Sequence, residues 1–136
     1  MKLIVCVDDR FGMLFNKRRQ SKDLALRQDM LKLTHNGTLW MNSYSAAQFE
    51  GIAGNICVDE EFLDKANRGD FCFVENADIA QYAQRISSVI LYRWNRAYPS
   101  DLQFPVELFE GRWHKESSIN FSGTSHETIT REVYAL

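Results

Sequence analysis

KLIVCVD, residues 2–8, is β-branched and almost continuously apolar, as a strand covered on both faces must be. Such a strand belongs in the middle of a sheet, so the chain around it should supply further strands and the layers that cover them. Gly12 marks a turn after it. From Ser21, a residue type favoured at N-caps, the spacing predicts a helix to about Leu33, closed by Asn36-Gly37. TLWMN (38–42) reads as a second buried strand and SAAQFEG (45–51) as a short helix. ICV (56–58) is a brief strand, and Asp59 caps a helix DEEFLDKANR that stops at Gly69. FCFVE (71–75), ADIAQYAQRI (77–86) and SVILYRW (88–94) repeat strand, helix and strand. Strands alternating with helices mean crossover connections and a mainly parallel sheet. After Tyr98-Pro99 the pattern changes. PVELFEGRWHKES and ETITREVYAL alternate with a partial period of two around the turn-rich SGTS, which predicts a C-terminal antiparallel hairpin.

The expectation is therefore an α/β protein in one domain, residues 1–136, because no linker, repeat or low-complexity tract divides the chain. With 45% hydrophobic and 25% charged residues, a core of ordinary size is available. The net charge of -2 provides no global attraction to nucleic acid or an anionic membrane, so any anion site must be local. The run Leu3 to Val7 is too short for a signal core, and no stretch approaches the ~18 apolar residues of a membrane span. The composition reads as that of a soluble cytoplasmic protein. Cys6, Cys57 and Cys72 lie in apolar, strand-like runs without C-x-x-C spacing and read as buried thiols. His35, His114 and His126 are widely separated and form no metal-binding motif, so no metal is expected.

On a helical wheel of residues 21–33, Leu24, Leu26, Met30, Leu31 and Leu33 share one arc of roughly 180°. Lys22, Ala25, Gln28, Asp29 and Lys32 fall opposite. Asp23 and Arg27 project from within the apolar arc. A carboxylate on a buried face needs a partner. Two readings follow: an ion pair between Asp23 and Arg27 at i, i+4 spacing, or a carboxylate in a cleft between helix and sheet.

Nearly the whole chain resembles dihydrofolate reductases. LIVCVDDRFG is similar to that family's first strand and the glycine that begins its active-site loop. SKDLALRQDMLKLT resembles the following helix, whose first turn carries the family's catalytic carboxylate; the match falls on Asp23. TLWMNSYSAAQFEG and VDEEFLDKANRGDFCFVEN resemble later strand and helix segments. ILYRWNRAYPSDLQFP resembles the late strand with its D-x-x-F-P, carried by Asp101, Phe104 and Pro105, and SGTSHETITREVY the terminal hairpin. The resemblance implies a mainly parallel sheet flanked by helices with a C-terminal antiparallel hairpin. It also implies a carboxylate at Asp23 that binds an amino-pyrimidine edge and supports protonation.

The departures fall where that family's chemistry lies. Glu75-Asn76 stands where a diglycine would approach the NADPH pyrophosphate, and a carboxylate there opposes phosphate. Ser43 replaces a phosphate-binding arginine, while Ser45 keeps a hydroxyl position. Between Gly51 and Asn55 the chain omits a segment with cofactor and folate contacts, and Arg27 occupies an aromatic position. These departures argue against NADPH as cofactor and leave the cofactor unassigned.

Arg18, Arg19 and Gln20 occupy a loop that is apolar in reductases, and guanidinium forks suit carboxylate or phosphate. Phe11, Met13, Leu14 and Phe15 before them read as a lid or a core anchor. The expected function is binding of a small anionic or heterocyclic ligand, pterin- or nucleotide-like, by Arg18, Arg19, Gln20, Arg27 and Ser45, with Asp23 as the catalytic candidate. Two alternatives stand beside it: a divergent reductase or hydrolase using Asp23 as proton donor, the hydrolase with His126, and a non-enzymatic interaction protein. In RWNR (93–96), strand alternation splits the two arginines between faces, so nucleic-acid binding is not expected. Alternation likewise separates Ser125, His126 and Glu127, which argues against a triad among them.

Overall fold

A computed structural model describes all 136 residues. Its strands and helices are β1 (Lys2–Val7), β2 (Gly12–Phe15), β3 (Arg18–Arg19), α1 (Leu24–Leu33), β4 (Leu39–Met41), α2 (Ser43–Ala46), β5 (Ile56–Val58), α3 (Phe62–Lys65), β6 (Phe71–Phe73), β7 (Ser88–Arg93), β8 (Leu102–Gln103), β9 (His114–Phe121) and β10 (Ile129–Ala135). Seven strands form one sheet in the order β5-β4-β6-β1-β7-β10-β9. The first five are parallel; β10 runs antiparallel to β7 and β9 antiparallel to β10. The expected α/β architecture, with a C-terminal antiparallel hairpin, is the one observed.

Side-chain alternation along the central strands makes two cores. Leu3, Val5 and Val7 of β1 face one side with Val89 and Leu91 of β7, and are covered by Phe62 and Leu63 of α3, Met13 and Leu14 of β2, and Phe104 and Phe109. Ile4, Ile90 and Tyr92 face the other side, where Leu26 and Met30 of α1 close the second core with Leu39, Met41 and Phe73. A strand buried on both faces excludes polar side chains, which is why residues 3–7 read as a continuous apolar run. Cys72 is buried among these residues, but Cys57 is exposed on edge strand β5, contrary to the expectation of a buried thiol.

The helices are shorter than their sequence patterns. The predicted 59–68 helix contracts to one turn at Phe62–Lys65, and Asp59 lies outside it, accepting from the Glu61 backbone and pairing with Lys65. Residues 77–86 contain only a 3-10 helix, Ala80–Arg85, and residues 45–51 divide between the end of α2 and a 3-10 turn at Ala47–Phe49. One turn of helix suffices when the adjacent sheet buries its apolar residues, since most helical stability comes from packing.

The stretch after β1 is more ordered than a loop. β2, β3 and β8 form a separate three-stranded antiparallel sheet in the order β3-β2-β8. Phe15 pairs with Arg18 across a two-residue turn in which Asn16 and Lys17 both have positive φ, 52° and 62°. This is the type I′ arrangement, whose twist suits a hairpin. Met13 and Leu14 anchor the hairpin in the core, while Phe15 is 47% exposed. Asparagine tolerates the left-handed region; lysine does so at a cost. Replacing Lys17 with glycine is expected to raise the stability by up to about 1 kcal/mol, read as a higher urea midpoint at unchanged m.

Candidate functional site

The parallel strands end along one edge of the sheet, the place where open α/β folds hold ligands. Asp8 follows β1, Asn42 follows β4, Glu75 lies two residues beyond β6 and Trp94 follows β7. The β2–β3 hairpin passes over this edge, and the residues along it form three polar clusters.

The first is centred on Glu75. Arg19 of β3 donates to Glu75 through Nε (2.9 Å) and Nη2 (3.1 Å), with the guanidinium 4.3 Å from the Tyr44 ring centroid. Ser45 Oγ (2.8 Å) and Gln48 Nε2 (3.1 Å) donate to the same carboxylate. Burial would lower the Arg19 pKa, but its bonds and attraction to Glu75 outweigh that and raise it. Arg19 and Ser45, both expected to contact a ligand, are thus engaged with Glu75. Cys6, Met13, Ser21 and Trp94 line the space beside this cluster, which measures only ≈ 10 Å³, about enough for one water.

The second cluster surrounds Asp8, which is fully buried. It accepts from the backbone N–H groups of Arg10, Gly12 and Tyr98 and from Gln20 Nε2. Burial pushes its pKa up, but these donors more than compensate and leave it lowered. Asp8 therefore ties the end of β1 to the hairpin and to the Tyr98 loop. A β-carbon at Gly12 would lie 2.6 Å from Ser100 Cβ, so the close approach of these segments requires glycine.

The third cluster contains Asp23. The helix begins at Leu24, and Asp23 is its N-cap, with extended φ and ψ of -154° and 128°. The expected cap, Ser21, lies outside the helix. The Asp23 carboxylate points toward the turn between β9 and β10, where it accepts from Thr124 N (3.0 Å), Ser125 N (2.8 Å) and His126 Nδ1 (3.1 Å), in addition to Leu26 N (3.2 Å). Thr124 Oγ1 returns a bond by accepting from Ala25 N. Burial acts to raise the Asp23 pKa; the Thr124 and Ser125 backbone donors, His126 and Leu26 outweigh it and hold the group well below the usual carboxylate range. Asp23 is thus held as an acceptor, which weighs against the proton-donor alternative. Its partner is not Arg27 either: Arg27 Nε is buried and unbonded. Asp29, placed on the polar face by the helical wheel, instead pairs with Arg131 and accepts from Tyr92.

His126 completes this cluster. Its Nε2 lies 3.1 Å from Ser21 Oγ and 3.1 Å from the Tyr98 hydroxyl, and its ring stacks on Trp94 at 4.6 Å. Strand alternation suggested that Ser125 and His126 diverge. They occupy a turn, and both reach Asp23.

One open cavity adjoins these clusters. It measures ≈ 310 Å³, between the β2–β3 hairpin and the Tyr98-Pro99 segment, with Phe15, Arg18, Gln20 and Tyr98 in its wall. The structure therefore gathers Arg18, Arg19 and Gln20 at one cavity and leaves Arg27 and Ser45 outside its lining. Gln20 Oε1 is buried without a partner. Phe15, read from the sequence as lid or core anchor, stands in the cavity wall, whereas Tyr98 carried no sequence signal as a ligand contact because the fold alone brings it to the hairpin. A larger hollow, ≈ 530 Å³, lies away from this edge, beside His35, Thr38, Asn55 and Cys57 near the starts of β4 and β5. No group of His, Cys, Asp and Glu side chains has the geometry of a metal site, and no helix is long and apolar enough to cross a membrane.

Among solved structures, the chain is similar to a dihydrofolate reductase from Enterococcus faecalis complexed with NADP(H) and RAB-propyl. The TM-score is 0.68 over 98% of this chain and 94% of that one, at 11% sequence identity. No family model matches the chain, and no curated protein does. At that identity the likeness shows a dihydrofolate-reductase-like α/β fold.

Two outcomes test the Asp23 cluster. A β-carbon at Gly123 would lie 2.6 Å from His126 O and 2.7 Å from Asp23 Oδ2, so Gly123→Ala should destabilise the fold by about 1–3 kcal/mol in urea unfolding. The lowered Asp23 pKa means that its stabilisation is complete above the unfolded-state value of ~3.9 and is lost as pH falls toward the folded-state value. The urea midpoint should drop on acidification below about pH 4, and Asp23→Asn, weaker at neutral pH, should show a smaller drop.

Proposed function

We propose that the chain binds a small anionic ligand carrying a planar heterocycle, nucleotide- or pterin-like, in the cavity beneath the β2–β3 hairpin, and does not carry out standard NADPH-dependent folate reduction. The observation that carries this reading is Arg18, which has no ion-pair partner and stands in the wall of the ≈ 310 Å³ cavity with Phe15 and Tyr98. Arg18 can form charge-assisted bonds to phosphate or carboxylate, and the two aromatic rings offer apolar faces to a heterocycle.

The reading against NADPH rests on Glu75. Its carboxylate, held by Arg19, Ser45 and Gln48, stands at the position that the resemblance assigns to a pyrophosphate-approaching diglycine. A cofactor phosphate there would meet negative charge, and Arg19 could turn to it only by leaving Glu75 buried without its cation.

Thermal shifts with nucleoside monophosphates, reduced and oxidised pterins, sugar phosphates and NADPH test both parts. A matching ligand at about 100 times its Kd should add about 2.7 kcal/mol of stability, and Arg18→Ala should abolish most of the shift without lowering the melting temperature of the free chain. Saturable stabilisation by NADPH with turnover of dihydrofolate would overturn the proposal.

A further inference from the structure

We propose that Ser21 is a nucleophile activated by His126, and that the chain hydrolyses small anionic esters. Ser21 Oγ and His126 Nε2 are 3.1 Å apart, and His126 Nδ1 faces Asp23 Oδ2 at 3.1 Å. A serine hydroxyl, an imidazole and a buried carboxylate thus stand in the order required for nucleophilic acyl transfer. They come from opposite ends of the chain, Ser21 and Asp23 just before α1 and His126 from the turn before β10.

The ring is held in a working orientation. Asp23 accepts from Nδ1, which puts the proton of the neutral imidazole on that nitrogen and leaves Nε2 an acceptor. Trp94 fixes the ring plane by stacking at 4.6 Å. The side chains of His126 and Asp23 are 2% and 0% exposed, whereas Ser21 is partly open to solvent. The base is therefore shielded, and Ser21 itself lines the ≈ 10 Å³ space that adjoins Gln20, not the wall of the ≈ 310 Å³ cavity.

Helix capping does not account for the Nε2 side of this cluster. The first amides of α1 are satisfied by Asp23 Oδ1 and Thr124 Oγ1. Nε2 has one lone pair and two hydroxyls within 3.1 Å, from Ser21 and Tyr98. Only one can donate to it at a time. This supplies the two roles that ester hydrolysis needs. Ser21 Oγ attacks the ester carbonyl carbon as its proton passes to Nε2, and the carbonyl π pair moves onto oxygen. Protonated Nε2 no longer accepts, so the Tyr98 O–H is left to donate to that oxyanion. Collapse breaks the bond to the alcohol oxygen, which leaves with the Nε2 proton. Water, giving a proton to Nε2, then attacks the acyl-Ser21 carbonyl; the acid departs and Ser21 recovers its proton. Ester and water become acid and alcohol, with nothing oxidised or reduced.

The substrate class rests on the ligand reading above. Tyr98 lines the ≈ 310 Å³ cavity as well as touching Nε2, and Gln20, next to Ser21 in the chain, lines it too. Arg18 at its wall selects an ester bearing a carboxylate or phosphate.

The test uses the full chain with a fluorophosphonate probe, read by intact mass and peptide mapping, and with mono-p-nitrophenyl succinate as substrate. A single adduct on Ser21, absent in Ser21→Ala and slowed at least about 100-fold in His126→Gln, is the expected result. Ser21→Cys should recover a covalent adduct with the succinyl ester, which separates loss of the nucleophile from loss of the fold. Asp23 acts through His126 as a positioning residue, so Asp23→Asn should lower the plateau of labelling and Asp23→Glu should recover part of it. Arg18→Ala should raise KM for the succinyl ester; an unchanged KM would sink the substrate class alone. No adduct, an adduct on Tyr98 or elsewhere, or hydrolysis unchanged in Ser21→Ala would overturn the nucleophile.

Discussion

A carboxylate removed from water must have its hydration replaced by the protein, and at Asp23 that requirement joins the start of the chain to its end. Backbone donors from Leu26, Thr124 and Ser125 and a ring donor from His126 surround it. These bonds place the β9–β10 turn over the N-terminus of α1, set the first residue of the helix and turn the His126 ring toward Ser21 and Tyr98. Gly123 permits the approach, because no side chain fits between the turn and the carboxylate. The negative charge also lies at the positive end of a helix dipole. Capping, turn placement and imidazole orientation are thus consequences of one buried charge.

A second buried carboxylate governs the neighbouring part of the edge. Glu75 draws Arg19, Ser45 and Gln48 onto itself and fills the space above the ends of β1 and β6 to the size of one water. The open volume lies farther out, under the β2–β3 hairpin, where Arg18 has no competing carboxylate. The two arginines are adjacent in sequence, but neighbouring residues of a strand point to opposite sides. Arg19 is turned inward to an ion pair and Arg18 remains available.

Much of the architecture was legible because double-sided burial leaves a composition that survives in one dimension. Leu3 to Val7 of β1 and Val89 to Leu91 of β7 are continuous apolar runs, and the C-terminal alternation marked the hairpin of β9 and β10. Helix lengths were less legible. Phe62 and Leu63, and Ile79 with Ala83, are buried apolar pairs that packing needs only at single turns, whereas periodicity extends through the polar residues beside them. The β2–β3–β8 sheet was missed because its strands are two to four residues long, too short for a period to register. Asp23 was conspicuous as a charge among leucines. Extending the helix back to Ser21 treats it as a helical residue of the buried arc; it is buried, but as the N-cap, and of the two readings left open by spacing the Arg27 pair is not formed.

The sequence by itself determined a two-sided parallel sheet, the terminal hairpin, a buried carboxylate before α1 and a cluster of arginines after β2, because each leaves a local pattern of polarity. Tertiary structure alone decided the partners of those charges. Asp23 meets His126, 103 positions away, and Arg19 meets Glu75, 56 positions away. Such pairings depend on which strand ends share an edge and which turns fold back over them, and the cost of a buried unpaired charge selects among them only once the chain has closed.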